Sequence, residues 1–188
     1  FGLKEFGNIY SRLGNPTVGA LEARLTALED GAMCVALSSG TSAVMYSLIN
    51  IMSQGDNFVT ANQLYGGTYT MFDNILPEYG IDSKKVDITD LKAVEDAIDD
   101  KTRAVYCETI TNPGLVVADI SALADIAHSK GIPLIVDATF TTSAILKPFE
   151  YGADIVVYSL TKWMSGHGRV IAGAVIEKGG FDWGNGNF

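Results

Sequence analysis

Two spacings of apolar residues alternate along the chain. Asn15 precedes Pro16, and Val18, Leu21, Leu25 and Leu28 follow at helical intervals. A capped helix is therefore expected from position 16, with that stripe turned inward. Met33-Cys34-Val35-Ala36-Leu37 is a short apolar run between Gly31 and Ser38-Ser39-Gly40, and it reads as a buried strand. Val44, Leu48, Ile49 and Met52 return to helical spacing. Residues 57–61 are strand-like, 68–79 helical and 85–88 strand-like, and Asp90 caps a helix carrying Leu91, Val94 and Ile98. A strand at 103–107 and a helix at 120–130 follow, until Gly131-Ile132-Pro133 breaks the pattern. Strands at 133–137, 154–158 and 170–176 close the series.

Strands that alternate with helices predict an α/β fold, a mostly parallel sheet with helices on both faces. The continuously apolar run Leu134-Ile135-Val136 fits a strand buried on two sides. No internal repeat or low-complexity linker interrupts the pattern. The Gly/Asn-rich tail from Gly179 to Phe188 carries neither period. With a first residue that is not Met, it suggests a piece of a longer protein.

Composition narrows the function. The chain has 188 residues, 47% apolar and 19% charged, enough for one domain with a sizeable core. Its net charge of −9 argues against nucleic acid as a partner, because phosphate backbones need a basic surface. No apolar run reaches the roughly 18 residues of a membrane span, and no signal peptide opens at Phe1. Cys34 and Cys107 sit inside apolar runs, as buried thiols in a reducing compartment would; a cytoplasmic location is expected.

In open α/β sheets, ligands bind at the carboxyl ends of strands. The polar residues there are Ser39-Gly40-Thr41, Tyr65-Gly66-Gly67, Glu108 with Asn112, Asp137 with Thr139, and Ser159 with Thr161 and Lys162. Small residues around Gly40 suit either an ordinary helix cap or an anion cradle at a helix N-terminus. Asp137 ends an apolar strand, as a helix cap or as a charge aimed into a site. Lys162 follows the strand at 154–158 between hydroxyls, where burial would lower its pKa and make it a nucleophile. A Schiff-base lysine, an acid for a ring nitrogen and an anion pocket are the three requirements of pyridoxal 5'-phosphate. His167, between glycines, reads as a turn residue beside the site, and His128 as a helix-end residue offsetting the dipole. Two His and two Cys, well separated, give no metal-site spacing.

Five ordered motifs carry a resemblance. They are Ile9-Tyr10-Ser11-Arg12-Leu13-Gly14-Asn15-Pro16-Thr17, Leu64-Tyr65-Gly66-Gly67-Thr68-Tyr69, Glu108-Thr109-Ile110-Thr111-Asn112-Pro113, Val136-Asp137-Ala138-Thr139-Phe140 and Tyr158-Ser159-Leu160-Thr161-Lys162-Trp163. Together they resemble the Cys/Met-metabolism family of pyridoxal-phosphate enzymes over nearly the whole chain. Lys162-Trp163 through Gly168, and Phe181-Asp182-Trp183, are most similar to the branch that replaces the γ-substituent of O-acetyl-L-homoserine with sulfide.

The resemblance implies the large cofactor domain of the aspartate-aminotransferase-like fold type I over 17–188, preceded by an arm at 1–16. It implies that Lys162 bonds the cofactor, Asp137 pairs with the pyridine nitrogen, and Tyr65 stacks on the ring. Asn112 would approach the 3'-oxygen. Ser39, Gly40, Thr41, Ser159 and Thr161 would hold the phosphate. Tyr10 and Arg12 would reach the phosphate of a neighbouring subunit, so a homo-oligomer, a dimer of dimers, is expected. Three departures stand out. The family often has His at the place of Tyr158 and Asn at that of Ala138. Methionine γ-lyases often carry Cys where Gly67 stands. The family's C-terminal domain, whose arginine grips the substrate carboxylate, has no counterpart in 1–188. Methionine γ-lyase, cystathionine γ-synthase and β-lyase chemistry would use the same residues. A non-catalytic binding or assembly piece is the alternative from another class.

Overall fold

The structure, a computed structural model, describes residues 7–188; positions 1–6 of the expected arm lie outside the described residues. Asn15 caps α1 (Pro16–Glu29), its side-chain oxygen accepting the N–H of Thr17 at 2.9 Å and of Val18 at 3.3 Å. Pro16 lies in the first turn, where a missing N–H costs no hydrogen bond. Then come β1 (Met33–Leu37), α2 (Gly40–Ile49), β2 (Asn57–Ala61) and α3 (Gly66–Thr70). The expected helix at 68–79 is α3 continued by a π-helical turn at Met71–Ile75 and a 3-10 turn at Leu76–Tyr79. The chain continues through β3 (Asp82–Val86), α4 (Leu91–Ala97), β4 (Thr102–Glu108), α5 (Ile120–Ser129), β5 (Leu134–Asp137), α6 (Thr142–Ile145), β6 (Ile155–Ser159) and β7 (Gly173–Glu177).

The seven strands form one sheet in the order β1-β7-β6-β5-β4-β2-β3. β7 runs antiparallel to β1 and β6, and every other pairing is parallel. Helices pack on both faces, so β2 is buried along its whole length. Asp90 and Asp119 cap α4 and α5 through their side chains, and each carboxylate takes an otherwise orphaned N–H. His128, in the last turn of α5, pairs with Asp154 at 2.8 Å, and the same carboxylate oxygen accepts the N–H of Leu134 at 2.8 Å. That contact ties α5 to the start of β5.

Three expectations need correction. β1 is an edge strand, not a buried one: Met33 and Val35 are exposed. Of the apolar stripe on α1, Leu25 is buried and Leu28 half-buried, while Val18 and Leu21 are exposed. The first two turns of α1 thus stand off the core. β3 starts three residues before the expected position, because its pairing with β2 includes the polar Asp82-Ser83-Lys84-Lys85. Its lysines meet Asp99 and Asp73, and charges of that kind blunt an open sheet edge.

The fully buried hydroxyl of Tyr158 donates to Glu29, itself fully buried at the end of α1. Burial raises the Glu29 pKa. Cys34 and Cys107 are free and buried, and burial pushes the Cys34 thiol up to about 12 and the Cys107 thiol higher still. Neither is poised to react.

Two changes at the start of α1 should move stability in opposite directions. Asn15→Ala removes the cap and should cost about 1 kcal/mol in urea denaturation. Gly19→Ala adds a Cβ that meets nothing within 4 Å and should add roughly 0.5–1 kcal/mol.

Candidate active site

Parallel strands bring their carboxyl ends to one edge of the sheet. β4 and β5 align Glu108 opposite Asp137, and β5 and β6 align Asp137 opposite Val157. β7 enters beside them, with Gly173 opposite both Leu37 and Ser159. A cavity of about 650 Å³ opens at this edge. Nine of the expected site residues line it: Ser39, Gly40, Thr41, Tyr65, Asn112, Asp137, Ser159, Thr161 and Lys162. Tyr10 and Arg12 are not brought there; they are exposed, with the Arg12 guanidinium 5.2 Å from the centre of the Tyr10 ring.

One end of the cavity is an anion cradle. Ser39 caps α2, its hydroxyl accepting the N–H of Ser42 at 3.0 Å. The N–H groups of Gly40 and Thr41 are left as uncapped donors at the positive end of a ten-residue helix. The cradle rests on two glycines. A Cβ on Gly40 would lie 2.4 Å from the Cβ of Ser159, and one on Gly173 would lie 2.0 Å from the carbonyl oxygen of Ser39. The two hydroxyls expected beside the cradle differ. Thr161 Oγ1 is engaged with the N–H and C=O of Ala172, at 3.1 and 3.2 Å. Ser159 Oγ has no partner among the described residues; its backbone N–H donates to Thr139 Oγ1 at 2.7 Å.

The other end is acidic. Asp137 Oδ1 accepts the Thr139 N–H at 2.9 Å, and Oδ2 faces the buried Tyr106 hydroxyl at 3.4 Å. Burial raises the Asp137 pKa, and the Thr139 and Tyr106 hydrogen bonds oppose that rise. Glu108 is buried and bridges two loops. Its Oε1 accepts the Tyr65 N–H at 2.7 Å and its Oε2 the Asn112 N–H at 2.9 Å. Burial pushes its carboxyl up to about 7, with neighbouring Asp137 adding to the rise and the two N–H groups opposing it.

Tyr65 is half exposed above the cavity floor. Its ring occupies the space a side chain at position 67 would take, since a Cβ there would lie 2.6 Å from Tyr65 Cε1. Lys162 corrects the expectation of a buried amine. It is exposed, on the turn after β6 at the cavity's rim. His167 is exposed beside the glycines that line the rim, as a turn residue would be. No cluster of metal-binding side chains occurs among the described residues.

The donor set fits pyridoxal phosphate: helix N–H groups for the phosphate, a carboxylate for the ring nitrogen, an aromatic face and a lysine at the rim. Sequence reasoning placed Glu108 and Thr139 at strand ends without giving either a role, and it did not single out Gly173 or Tyr106. The spacing Glu108-x-x-x-Asn112, which folds a carboxylate back on its own loop, was the available signal.

A doubly wound sheet with this set of residues at its carboxyl edge defines a fold type I pyridoxal-phosphate enzyme. A family model described as Cys/Met metabolism PLP-dependent enzyme matches residues 1–187, and the chain belongs to that family. It is 47% identical over 188 residues to O-acetyl-L-homoserine sulfhydrylase from Leptospira meyeri, covering all of this chain and 42% of that enzyme. Among solved structures it is similar to an O-acetylhomoserine (thiol)-lyase, so described, from Campylobacter jejuni that holds a pyridoxyl-lysine monophosphate. The TM-score is 0.91 and the identity 42%, over 95% of this chain and 44% of that one. Cystathionine γ-lyase from Lactobacillus plantarum, complexed with L-serine, gives a TM-score of 0.89 at 40% identity, over 94% and 46% of the two chains. The chain spans less than half the length of these relatives.

The close approach at Gly173 generates a test. Gly173→Ala must push the Ser39 turn away from β7, and cofactor affinity should fall by at least about tenfold, the equivalent of one good phosphate contact. Fluorescence titration with pyridoxal phosphate, beside Gly19→Ala as a control, measures it.

Proposed function

We propose that this chain forms the cofactor domain of an enzyme that exchanges the acetoxy group of O-acetyl-L-homoserine for sulfide, giving homocysteine and acetate. One observation carries the reading. The anion cradle, Asp137 and Lys162 converge in one cavity, in a chain similar along its whole length to an enzyme named for that activity.

The bound cofactor supplies an electron sink for a proton's departure from the substrate Cα. The chain's residues do the rest. The α2 N-terminus and Ser159 hold the phosphate and orient the ring. Asp137 would pair with the pyridine nitrogen and keep it protonated, which strengthens the sink; the cation would in turn favour the ionised carboxylate. Tyr65 would stack on the ring, and Asn112 would approach the 3'-oxygen. Lys162 would hold the cofactor until substrate displaces it, and would then accept the Cα proton and return it only after the exchange at Cγ. Loss of a second proton, at Cβ, would expel acetate from Cγ; hydrosulfide would then add at Cγ as protons return to Cβ and Cα, giving homocysteine. The domain division we propose is an arm at 1–16 and a cofactor domain at 17–188.

Elimination without replacement, the γ-lyase outcome, uses the same residues, and the 40%-identical cystathionine γ-lyase structure favours keeping it as the second reading. Gly67 speaks against methionine γ-lyase, where Cys is common. Assaying the full-length protein with O-acetylhomoserine and sulfide, against methionine or cystathionine alone, separates the two.

The assembly we propose is a dimer of dimers in which Tyr10 and Arg12 reach a neighbour's phosphate. Their absence from this chain's own cavity supports that reading, as do the exposed Ile9, Leu13, Val18 and Leu21 beside them. Two buried free thiols support a reducing, cytoplasmic setting. No helix among the described residues is long and apolar enough to cross a membrane.

Two measurements test the residue roles. Lys162→Ala should abolish the borohydride-reducible adduct in full-length protein that still binds cofactor. An adduct that persists and maps to Lys147 or Lys130 removes Lys162 from the role. Hybrids of Arg12→Ala and Lys162→Ala subunits should recover part of the wild-type activity, because one of the two hybrid sites keeps both residues. Verified hybrids with no activity would place the arm in its own subunit's site.

A further inference from the structure

Glu108 has a place that neither the catalytic reading nor the phosphate cradle uses. It is a buried acid, 5% exposed, lining the cavity, and it makes no ion pair among the described residues. Its hydrogen bonds go instead to two backbone N–H groups from different loops, at 2.7 and 2.9 Å. One belongs to Tyr65, whose own side chain does not cap α3. The other belongs to Asn112, four residues along the chain from Glu108. These loops follow β2 and β4, adjacent strands of the sheet.

We propose that Glu108 is the positioning residue for the cofactor ring: its two carboxylate oxygens fix the loops of Tyr65 and Asn112 relative to one another and so set the slot in which the ring lies. This rests on the reading above, in which Tyr65 stacks on the ring and Asn112 approaches its 3'-oxygen. The physical reason for a carboxylate is symmetry. Two N–H donors arriving from opposite sides need two acceptors on one small group. A carboxylate offers both, whereas an amide or a protonated carboxyl offers one acceptor and turns a donor toward the other N–H. Charge-assisted bonds to backbone N–H are also stronger than neutral ones. The slot is therefore well set only while Glu108 is ionised.

Ionisation is opposed by burial and by Asp137. Asp137 faces Glu108 from β5, and the Tyr106 hydroxyl and Cys107 thiol lie on β4 itself. Tyr65 covers it from the α3 end, Lys162 stands at the cavity's rim, and α2 contributes only Gly40, Thr41 and Val44 to this cavity. The resulting pKa, about 7, lies within reach of a simple titration. The sign follows from the raised value: the carboxylate form, and the set slot, fill as pH rises through about 7 and are lost as it falls.

The test compares wild-type and Glu108→Gln full-length protein, with pyridoxine 5'-phosphate as the probe. That ligand lacks the aldehyde, so lysine chemistry does not enter, and Trp163 in the cavity lining reports its binding by fluorescence. The ligand's own titrations cancel in the ratio of the two dissociation constants. Glu108→Gln resembles the protonated wild type. The variant should bind about tenfold more weakly near pH 8.5, the effect of one lost charge-assisted bond, and within about twofold of the wild type near pH 6. Equal affinities near pH 8.5, or a ratio that stays constant across the range, overturn the proposal. Failure of the wild type itself to bind the probe overturns the cofactor reading instead. Should Glu108→Gln not fold, Glu108→Asp keeps the charge but withdraws it by one methylene and must still weaken binding near pH 8.5; wild-type affinity there overturns the proposal.

Discussion

A side chain at Gly173 would set its Cβ 2.0 Å from the carbonyl oxygen of Ser39, so the first residue of β7 and the turn before α2 can meet only as bare backbone. That contact fixes more than one turn. It brings the reversed strand β7 between β1 and β6, and it seats the positive end of α2 over the end of β6, where Gly40 lies against Ser159. The anion cradle is a consequence of this close packing. Its donors belong to the helix backbone, so their direction is set by the same contacts that build the sheet. Moving the cradle would require moving β7.

Much of this was legible from the residues. Asn15 and Pro16 mark the start of α1 because a side-chain acceptor and a missing donor both suit a helix N-terminus. The strand-end rule collected eleven residues that do share a cavity, because parallel strands must end on the same edge. What escaped had a physical reason in each case. Met33–Leu37 is apolar like a central strand yet lies at the edge, since periodicity reports residue type and not the number of neighbouring strands. Asp82–Val86 looks polar because an edge strand beside β2 can turn lysines to solvent and acids. Lys162 is adjacent to buried residues in sequence, but the turn after β6 carries it to the rim. Glu108 could be placed at a strand end but not read further, because both its partners are backbone N–H groups, and one lies 43 residues away.

Acid placement in the cavity runs against simple electrostatics. Glu108 and Asp137 sit opposite one another on neighbouring strands in a chain of net charge −9, and burial raises both pKa values. An acid whose pKa in the fold exceeds its unfolded value binds more protons when folded. For Glu108 this means that stability falls as pH climbs from its ordinary value of 4.5 to about 7. Two buried acids therefore destabilise the cofactor-free fold near neutral pH, an arrangement common where a site is built for a ligand's charge and not for stability.

The ligand's own polarity accounts for that arrangement. Pyridoxal phosphate carries a dianion at one end and a basic ring nitrogen at the other. The cavity has helix N–H donors and a free hydroxyl at one end and a buried carboxylate at the other, with an aromatic face between. A ligand entering the wrong way round would set its phosphate against Asp137 and Glu108 and leave the α2 donors without an acceptor. In a low-dielectric site, like-charge contact and unpaired polar groups each cost several kcal/mol, roughly. In the proposed site the cavity would thus select one orientation before any covalent bond forms, with Lys162 standing at the rim. An exposed lysine is compatible with this scheme. Its accuracy would come from the fixed end of the ring, which the backbone contact at Gly173 and the proposed bridge at Glu108 would position.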